Sequence, residues 1–364
     1  QDGRREAGSH RWVVIESTMH KLGKKLACHH RSLWDKYVKD LLAASGYDPG
    51  SSLTTDQDIE LGGCINDART WAAILVDAYG FSPDNVMILT EDQNDDLMPT
   101  CSNMRRGFDW LRQDCKPGDT LFFSYSGHGS QMQDYSGAEA DGMNECICPV
   151  DAMKAPWPRN IILDNEINKT FCTDLPSGVE CVCIFDCCHS ATEADLGFSR
   201  DAQSRDLTSG EDVDATLKSR HIPPPEDCRD RGLGDGANGA AGPGIDQLKL
   251  LWTFSGCHDD QTSADATIGG KRQGAFTWAM SKALAESKYN TTYDALLMAA
   301  SANLQGRFSQ IPSVSTTCET NFDRLFLDGP QPRSGHAPGA AFCAGLPREN
   351  ICNPWFAMMP CFAR

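Results

Sequence analysis

The sequence predicts an α/β protein with a mostly parallel central sheet covered by helices on both faces. Three observations carry this. Apolar runs without polar alternation recur at Asn85–Glu91, Asp119–Gly127, Gly178–Asp186 and Gln247–Gly256; strands of that kind are buried on both faces, as parallel strands are. Stretches of helical spacing separate them, the βαβ rhythm of a doubly covered sheet. A chain of 364 residues, 40% hydrophobic and 23% charged, can also bury one large core with appendages, or two small ones.

Taken in order, Arg11–Thr18 (RWVVIEST) can form a strand and Ser32–Ser45 a helix that stops at Gly46. Asn66–Gly80 reads as a helix, with Asp67 in its first turn and Gly80 at its C-terminal stop. The Asn85–Glu91 strand is followed by a helix over Ser102–Cys115. Between the strands Asp119–Gly127 and Gly178–Asp186, residues Asp164–Leu175 fit another helix. Residues 201–246, with PPPEDCRDRGLGDGANGAAGPG, read as a flexible connector. After the strand at Gln247–Gly256, helices are expected at Gly274–Ser287 and Thr292–Gln305, and a last strand at Asn321–Leu327. The resulting division is an N-terminal extension over 1–55, a core region over 56–200, the connector, a second core region over 247–328 and an unstructured tail over 329–364.

A formal charge of −17 repels phosphate backbones and favours basic peptides or divalent cations, so nucleic acid is not an expected partner. No run reaches the roughly 18 to 20 apolar residues of a membrane span. The first residues lack the apolar stretch of a secretory signal, although the chain begins with Gln1 and its native start can lie elsewhere. Seventeen cysteines, an odd number, some inside apolar runs such as Cys181 and Cys183, fit a reduced, cytoplasmic protein better than a disulfide scaffold. A monomer is expected.

Ligands of open α/β sheets bind beyond the carboxyl ends of the strands. Two reactive sets fall there. Tyr125–Gly129 (YSGHG) puts His128 on a glycine-flanked turn, where imidazole can act as general base, although a turn histidine without a role reads the same way. Phe185–Ser190 (FDCCHS) puts Cys187 and Cys188 after a buried strand, where a thiolate is nucleophilic and structural cysteines are the plain alternative. His189 is a rival base, but a neighbour in sequence rarely has the angle to serve.

Gly63–Ala68 (GCINDA), Ile88–Asp95 (ILTEDQND), YSGHG, Pro149–Asp151 (PVD), FDCCHS and Ser255–Ala266 (SGCHDDQTSADA) together resemble the metacaspases, over about residues 60 to 328 and in the order of type I members. The resemblance implies a caspase-like three-layer sandwich and a cysteine endopeptidase that cuts protein or peptide substrates after Arg or Lys. It puts the nucleophile at Cys188, the proton-transfer partner at His128 and the oxyanion donors at the amides of Gly129 and Cys188. It assigns the pocket for the basic side chain to Asp67, Ser126 and Asp186, with Cys64 at its rim. Carboxylates are what a buried guanidinium requires, whereas helix-end charge compensation would account for Asp67 and a strand-end hydrogen bond for Asp186.

The resemblance also implies activation by calcium, at Asn144, Asp164, Asn165 and Asp195. Two of these are amides where the family pattern has aspartates, so the site would be weaker; Glu145 and Glu166 lie beside them. Arg220, Arg229 and Arg231 in the connector are candidate self-cleavage points. One departure stands out: the residues before GCINDA are polar, so either an insertion separates the first strand from its usual place or that strand is altered. The competing reading is a catalytically weak or inactive relative that acts by binding; retention of both His128 and Cys188 argues against it.

Overall fold

A computed structural model describes residues 10–17, 60–134, 142–155, 159–188, 198–201, 217–221, 250–258, 261–317 and 322–330. The elements that position the site are, in chain order, β1 (His10–Ser17), α1 (Cys64–Asp77), β2 (Val86–Leu89), α2 (Cys101–Arg112), β3 (Thr120–Gly127), β4 (Gly129–Gln133), β5 (Met143–Ile147), β6 (Ile162–Leu163) and α3 (Asp164–Asn168). They continue with β7 (Glu180–Asp186), β8 (Phe198–Asp201), β9 (Lys218–Ser219), β10 (Leu250–Ser255), β11 (Ala264–Ile268), β12 (Lys271–Gly274), α4 (Ala275–Glu286), α5 (Tyr293–Leu304) and β13 (Ser313–Thr316).

Seven strands form the main sheet in the order β2-β1-β3-β7-β10-β13-β8. The first five run parallel, β13 runs antiparallel to β10, and β8 at the edge runs antiparallel to β13. Strand side chains alternate between faces, and the buried clusters follow that alternation. Phe122, Val182, Ile184, Trp252 and Phe254 pack with Trp71 and Leu75 of α1, Phe276 and Met280 of α4, and Leu296 of α5. Leu121, Phe123, Tyr125, Cys181, Cys183 and Phe185 pack on the other face with Met104, Phe108 and Leu111 of α2 and with Phe171. This is the expected three-layer arrangement. Two small sheets, β4-β5-β6 and β12-β11-β9, stand beside it.

The first strand is not lost. β1 pairs in parallel with both β2 and β3, so residues 10–17 belong to the main sheet and not to a separate extension. The last expected strand, Asn321–Leu327, is different. Residues 322–325 form a turn with one bridge between Thr292 and Leu325, followed by a 3-10 turn over Phe326–Asp328. Leu327 and Asp328 have φ of 49° and 58°, in the left-handed region that no strand can hold. The sheet takes β13 instead. The expected helix at Ser32–Ser45, Arg229, Arg231 and residues 331–364 of the tail lie outside the described residues.

Candidate active site

The carboxyl ends of β3 and β7 lie side by side, with Ser126 in register with Asp186. His128 follows β3 by one residue, and Cys188 follows β7 by two; both are buried. Tyr125 fixes the turn by donating its hydroxyl to the His128 carbonyl at 2.8 Å, and Cys148 N–H donates to the same oxygen at 3.0 Å. Gly129 is so near the Cys188 backbone that a Cβ there would strike the Cys188 carbonyl. Only glycine permits that approach.

The connector itself enters this site. Lys218–Ser219 forms β9 and pairs antiparallel with β11, Ser219 opposite Ala264 and Lys218 opposite Asp265. The next residue, Arg220, is fully buried. Its guanidinium donates to Asp67 Oδ2 at 2.7 Å and to the Asp186 carbonyl at 2.8 Å, and lies 3.3 Å from Asp186 Oδ1. Its own N–H donates to the Ser263 carbonyl at 3.0 Å. Its carbonyl oxygen accepts from Gly129 N–H at 2.9 Å and Cys188 N–H at 3.4 Å, the two amides expected to hold an oxyanion. A bridge between Gly129 and His221 holds the following residue.

Cys188 Sγ lies 3.1 Å from Ser263 N–H, which donates to it, and 3.8 Å from Ser219 Oγ. Burial pushes the Cys188 thiol up, but hydrogen bonds from Cys257, Ser263 N–H and Ser219, with the charge of Arg220, outweigh it and leave the thiol below its ordinary value. Cys257 moves the opposite way: its hydrogen bond to Cys188, then burial, hold it protonated.

The pocket carboxylates also serve the fold. Asp186 Oδ2 accepts from Thr277 N–H at 2.8 Å and from Thr277 Oγ1 at 2.7 Å, so it caps the first turn of α4. Ser263 Oγ donates to Asp186 Oδ1 at 2.6 Å. Asp67, in the first turn of α1, accepts from Gly274 N–H at 3.0 and 3.1 Å. Burial lifts Asp67 to about 7; Arg220 opposes the rise and the neighbouring Asp186 adds to it. Cys64 starts α1 and lies within the electrostatic reach of Arg220.

Comparison with known proteins identifies the family. The family described as metacaspase, peptidase C14 domain, matches residues 41–197. Metacaspase-1 of Arabidopsis thaliana is 40% identical over 242 residues, covering 65% of this chain and 58% of that protein. Metacaspase-1 of Scheffersomyces stipitis is 33% identical over 289 residues, covering 74% of this chain and 69% of its own length.

The chain belongs to the metacaspase family.

Metacaspase-1 of Saccharomyces cerevisiae is 34% identical over 286 residues, covering 74% of this chain and 65% of that protein. The chain thus spans about two thirds or less of most of the metacaspases it matches, 58% for the Arabidopsis protein and 65% for the yeast one. A crystal structure of a Geobacter sulfurreducens protein superposes with a TM-score of 0.51 at 19% identity, covering 86% of this chain and 95% of that one, and supports the fold. No helix among the described residues is long and apolar enough to cross a membrane.

Three of the four residues expected to hold calcium are described. Asn165 Nδ2 donates to Asn144 Oδ1 at 2.6 Å, and Asp164 precedes Asn165 in the buried start of α3. Oxygen donors of this kind suit calcium, but these three residues carry a single negative charge. Glu166 is taken by Arg105 in a bidentate pair at 2.7 Å on each oxygen, and Glu145 accepts from Gln131 at 3.1 Å. Asp195 and His189 lie outside the described residues. Sequence reasoning missed Ser263, Thr277 and Gly274. Ser263 stands inside the SGCHDDQTSADA motif; its hydroxyl holds Asp186, but it meets Arg220 and Cys188 through its carbonyl and amide, and backbone groups leave no mark in residue type.

Proposed function

We propose that the chain is a cysteine endopeptidase that cuts after Arg or Lys, and that Arg220–His221 is one of its own cleavage sites. One observation carries this: Arg220 lies in the site as a substrate residue would, its guanidinium between Asp67 and Asp186 and its carbonyl on the amides of Gly129 and Cys188. Carboxylates would repel an aspartate at that position, which argues against cutting after Asp.

In the reaction, His128 takes the thiol proton and the Cys188 sulfur attacks the Arg220 carbonyl carbon. The oxygen gains charge and is held by the Gly129 and Cys188 amides. His128 then returns the proton to the departing amine of His221, leaving a thioester on Cys188. Water, deprotonated by His128, releases Arg220 as a carboxylate. While the pocket grips the Arg220 side chain, the connector blocks it and excludes other substrates. Its departure opens the site.

Asn144, Asp164 and Asn165, with Asp195, would hold the calcium ion expected of the family. A bound cation would supply positive charge that neutralises this acidic flank. Eleven described cysteines form no disulfide, and a reducing cytoplasm is the compartment proposed for the chain.

The test is hydrolysis of fluorogenic peptides ending in Arg, Lys or Asp, with calcium or chelator, beside Cys188→Ala. Mass spectrometry of the incubated chain reads the cut after Arg220. Cleavage after Arg and Lys alone, abolished by Cys188→Ala, is the expected result. A folded protein that cuts no peptide would be a binding relative instead. Equal rates with calcium and chelator would retire the metal site alone.

A further inference from the structure

We propose that Gly274 sets the preference of the pocket between Arg and Lys, because its missing side chain is what leaves room for the guanidinium tip. The inference rests on the reading of the site as one that cuts after basic residues.

Gly274 has no conformational reason to be glycine. Its φ of −69° and ψ of 136° suit any residue. It is the N-cap of α4, where the side chain of Ser, Thr, Asn or Asp would help the helix and glycine has none to offer. Space explains it. A Cβ built there would strike Asp186 Oδ2 first, and would lie 2.7 Å from both Nη1 and Nη2 of Arg220.

The backbone cannot withdraw to make room. Gly274 N–H is bonded to both carboxylate oxygens of Asp67, and Asp265, in β11, pairs opposite Gly274 in β12. The wall of the pocket is therefore bare backbone, with Asp67 and Asp186 on either side. The first atoms of the substrate that an added methyl would meet are the two fork nitrogens. A lysine side chain has no fork and ends about one bond shorter, with a compact ammonium. A methyl at this position would then exclude Arg far more than Lys.

The experiment compares wild type and Gly274→Ala, as full chains preincubated with calcium, on two peptides that differ only in ending with Arg or Lys. Thermal unfolding is recorded for both proteins. The expected result is a fall of about tenfold or more in the Arg-to-Lys ratio of kcat/KM, the size of an effect near 1.4 kcal/mol. An equal loss on both peptides, in a variant that melts like wild type, overturns the proposal. Should Gly274→Ala fail to fold, the wild type is given a peptide ending in ω-N-methylarginine, which keeps the charge but thickens the fork. Cleavage of that peptide at least tenfold slower than the Arg peptide supports the proposal, and equal cleavage overturns it. No cleavage after either Arg or Lys by the folded wild type sinks the peptidase reading, and the role of Gly274 falls with it.

Discussion

The guanidinium of Arg220 meets the carboxylate of Asp67 across 153 positions of sequence, at 2.7 Å, with both side chains shut off from solvent. A buried pair of this kind repays its desolvation only when the remaining donors and acceptors are also satisfied. Here the Asp186 carbonyl takes one guanidinium nitrogen and Gly274 N–H reaches Asp67, but Arg220 Nε has no hydrogen-bond partner among the described residues, so the pair is only partly repaid. In the proposed self-cleavage, the same arrangement that holds the connector down presents its carbonyl to the Gly129 and Cys188 amides.

Arg220→Ala should therefore separate self-cleavage from activity on added peptides. The variant lacks the side chain that the pocket grips, so the cut after residue 220 should disappear. Peptides ending in Arg should still be cut, since Asp67 and Asp186 remain. Arg220→Lys should restore the cut. Gel electrophoresis of the incubated chain beside a peptide assay checks this. A cut after residue 220 in the alanine variant would remove Arg220 from the mechanism.

How much of this was legible in the sequence depends on which atoms do the work. The buried strands and the helices between them could be read because apolar runs and helical spacing are side-chain patterns. His128 and Cys188 could be singled out for the same reason, whereas Asp67 and Asp186 were assigned to the pocket through the family resemblance, and the structure gathers those two around one guanidinium. Ser263 and Gly274 could not, because the first contributes backbone groups and the second contributes space. β1 was visible as an apolar run, but its place between β2 and β3 depends on pairing far along the chain. The false strand at Asn321–Leu327 failed on the positive φ of Leu327, which residue type does not announce.

The pH dependence follows from Asp67. Burial raises its carboxyl to about 7, against 3.8 for the free group. Between those two values the folded chain keeps a proton that the unfolded chain has lost. Its contribution to stability is full below 3.8 and is lost as the pH rises through about 7. Uncut wild type should therefore lose stability relative to Asp67→Asn as the pH goes from 4 to 8. Parallel melting curves for Cys188→Ala and Cys188→Ala/Asp67→Asn measure this without self-cleavage. A gap that does not move with pH would contradict the assignment.

Asp186 should show two losses where Thr277 shows one. Asp186 accepts from Thr277 N–H and hydroxyl, and also faces Arg220 at 3.3 Å. Thr277→Val removes only the hydroxyl bond, at a cost of about 1 kcal/mol of stability. Asp186→Asn removes a charge from the pocket as well. The first should lower Tm and leave KM for Arg peptides close to wild type, while the second should raise KM strongly. Equal KM values in the two variants would make Asp186 a helix cap and nothing more.

The split between the two thiols gives the last prediction. Cys257 donates to the Cys187 carbonyl at 3.4 Å, and its interaction with the neighbouring Cys188 favours the thiolate on Cys188 and keeps Cys257 protonated. Ser263 N–H at 3.1 Å adds to the same preference. Cys257→Ala deletes the first interaction and leaves the backbone donor in place, so the Cys188 pKa should rise without reaching that of an unassisted buried thiol. The measurement is the rate of iodoacetamide alkylation of Cys188 against pH, in the Arg220→Ala background so that the connector does not shield the sulfur. Loss of the Arg220 charge raises the Cys188 pKa in both proteins, and the comparison between them isolates Cys257. An acid limb moved upward by Cys257→Ala supports the interaction with Cys257 as the cause. An unmoved limb would assign the whole effect to Ser263 and the surrounding charge.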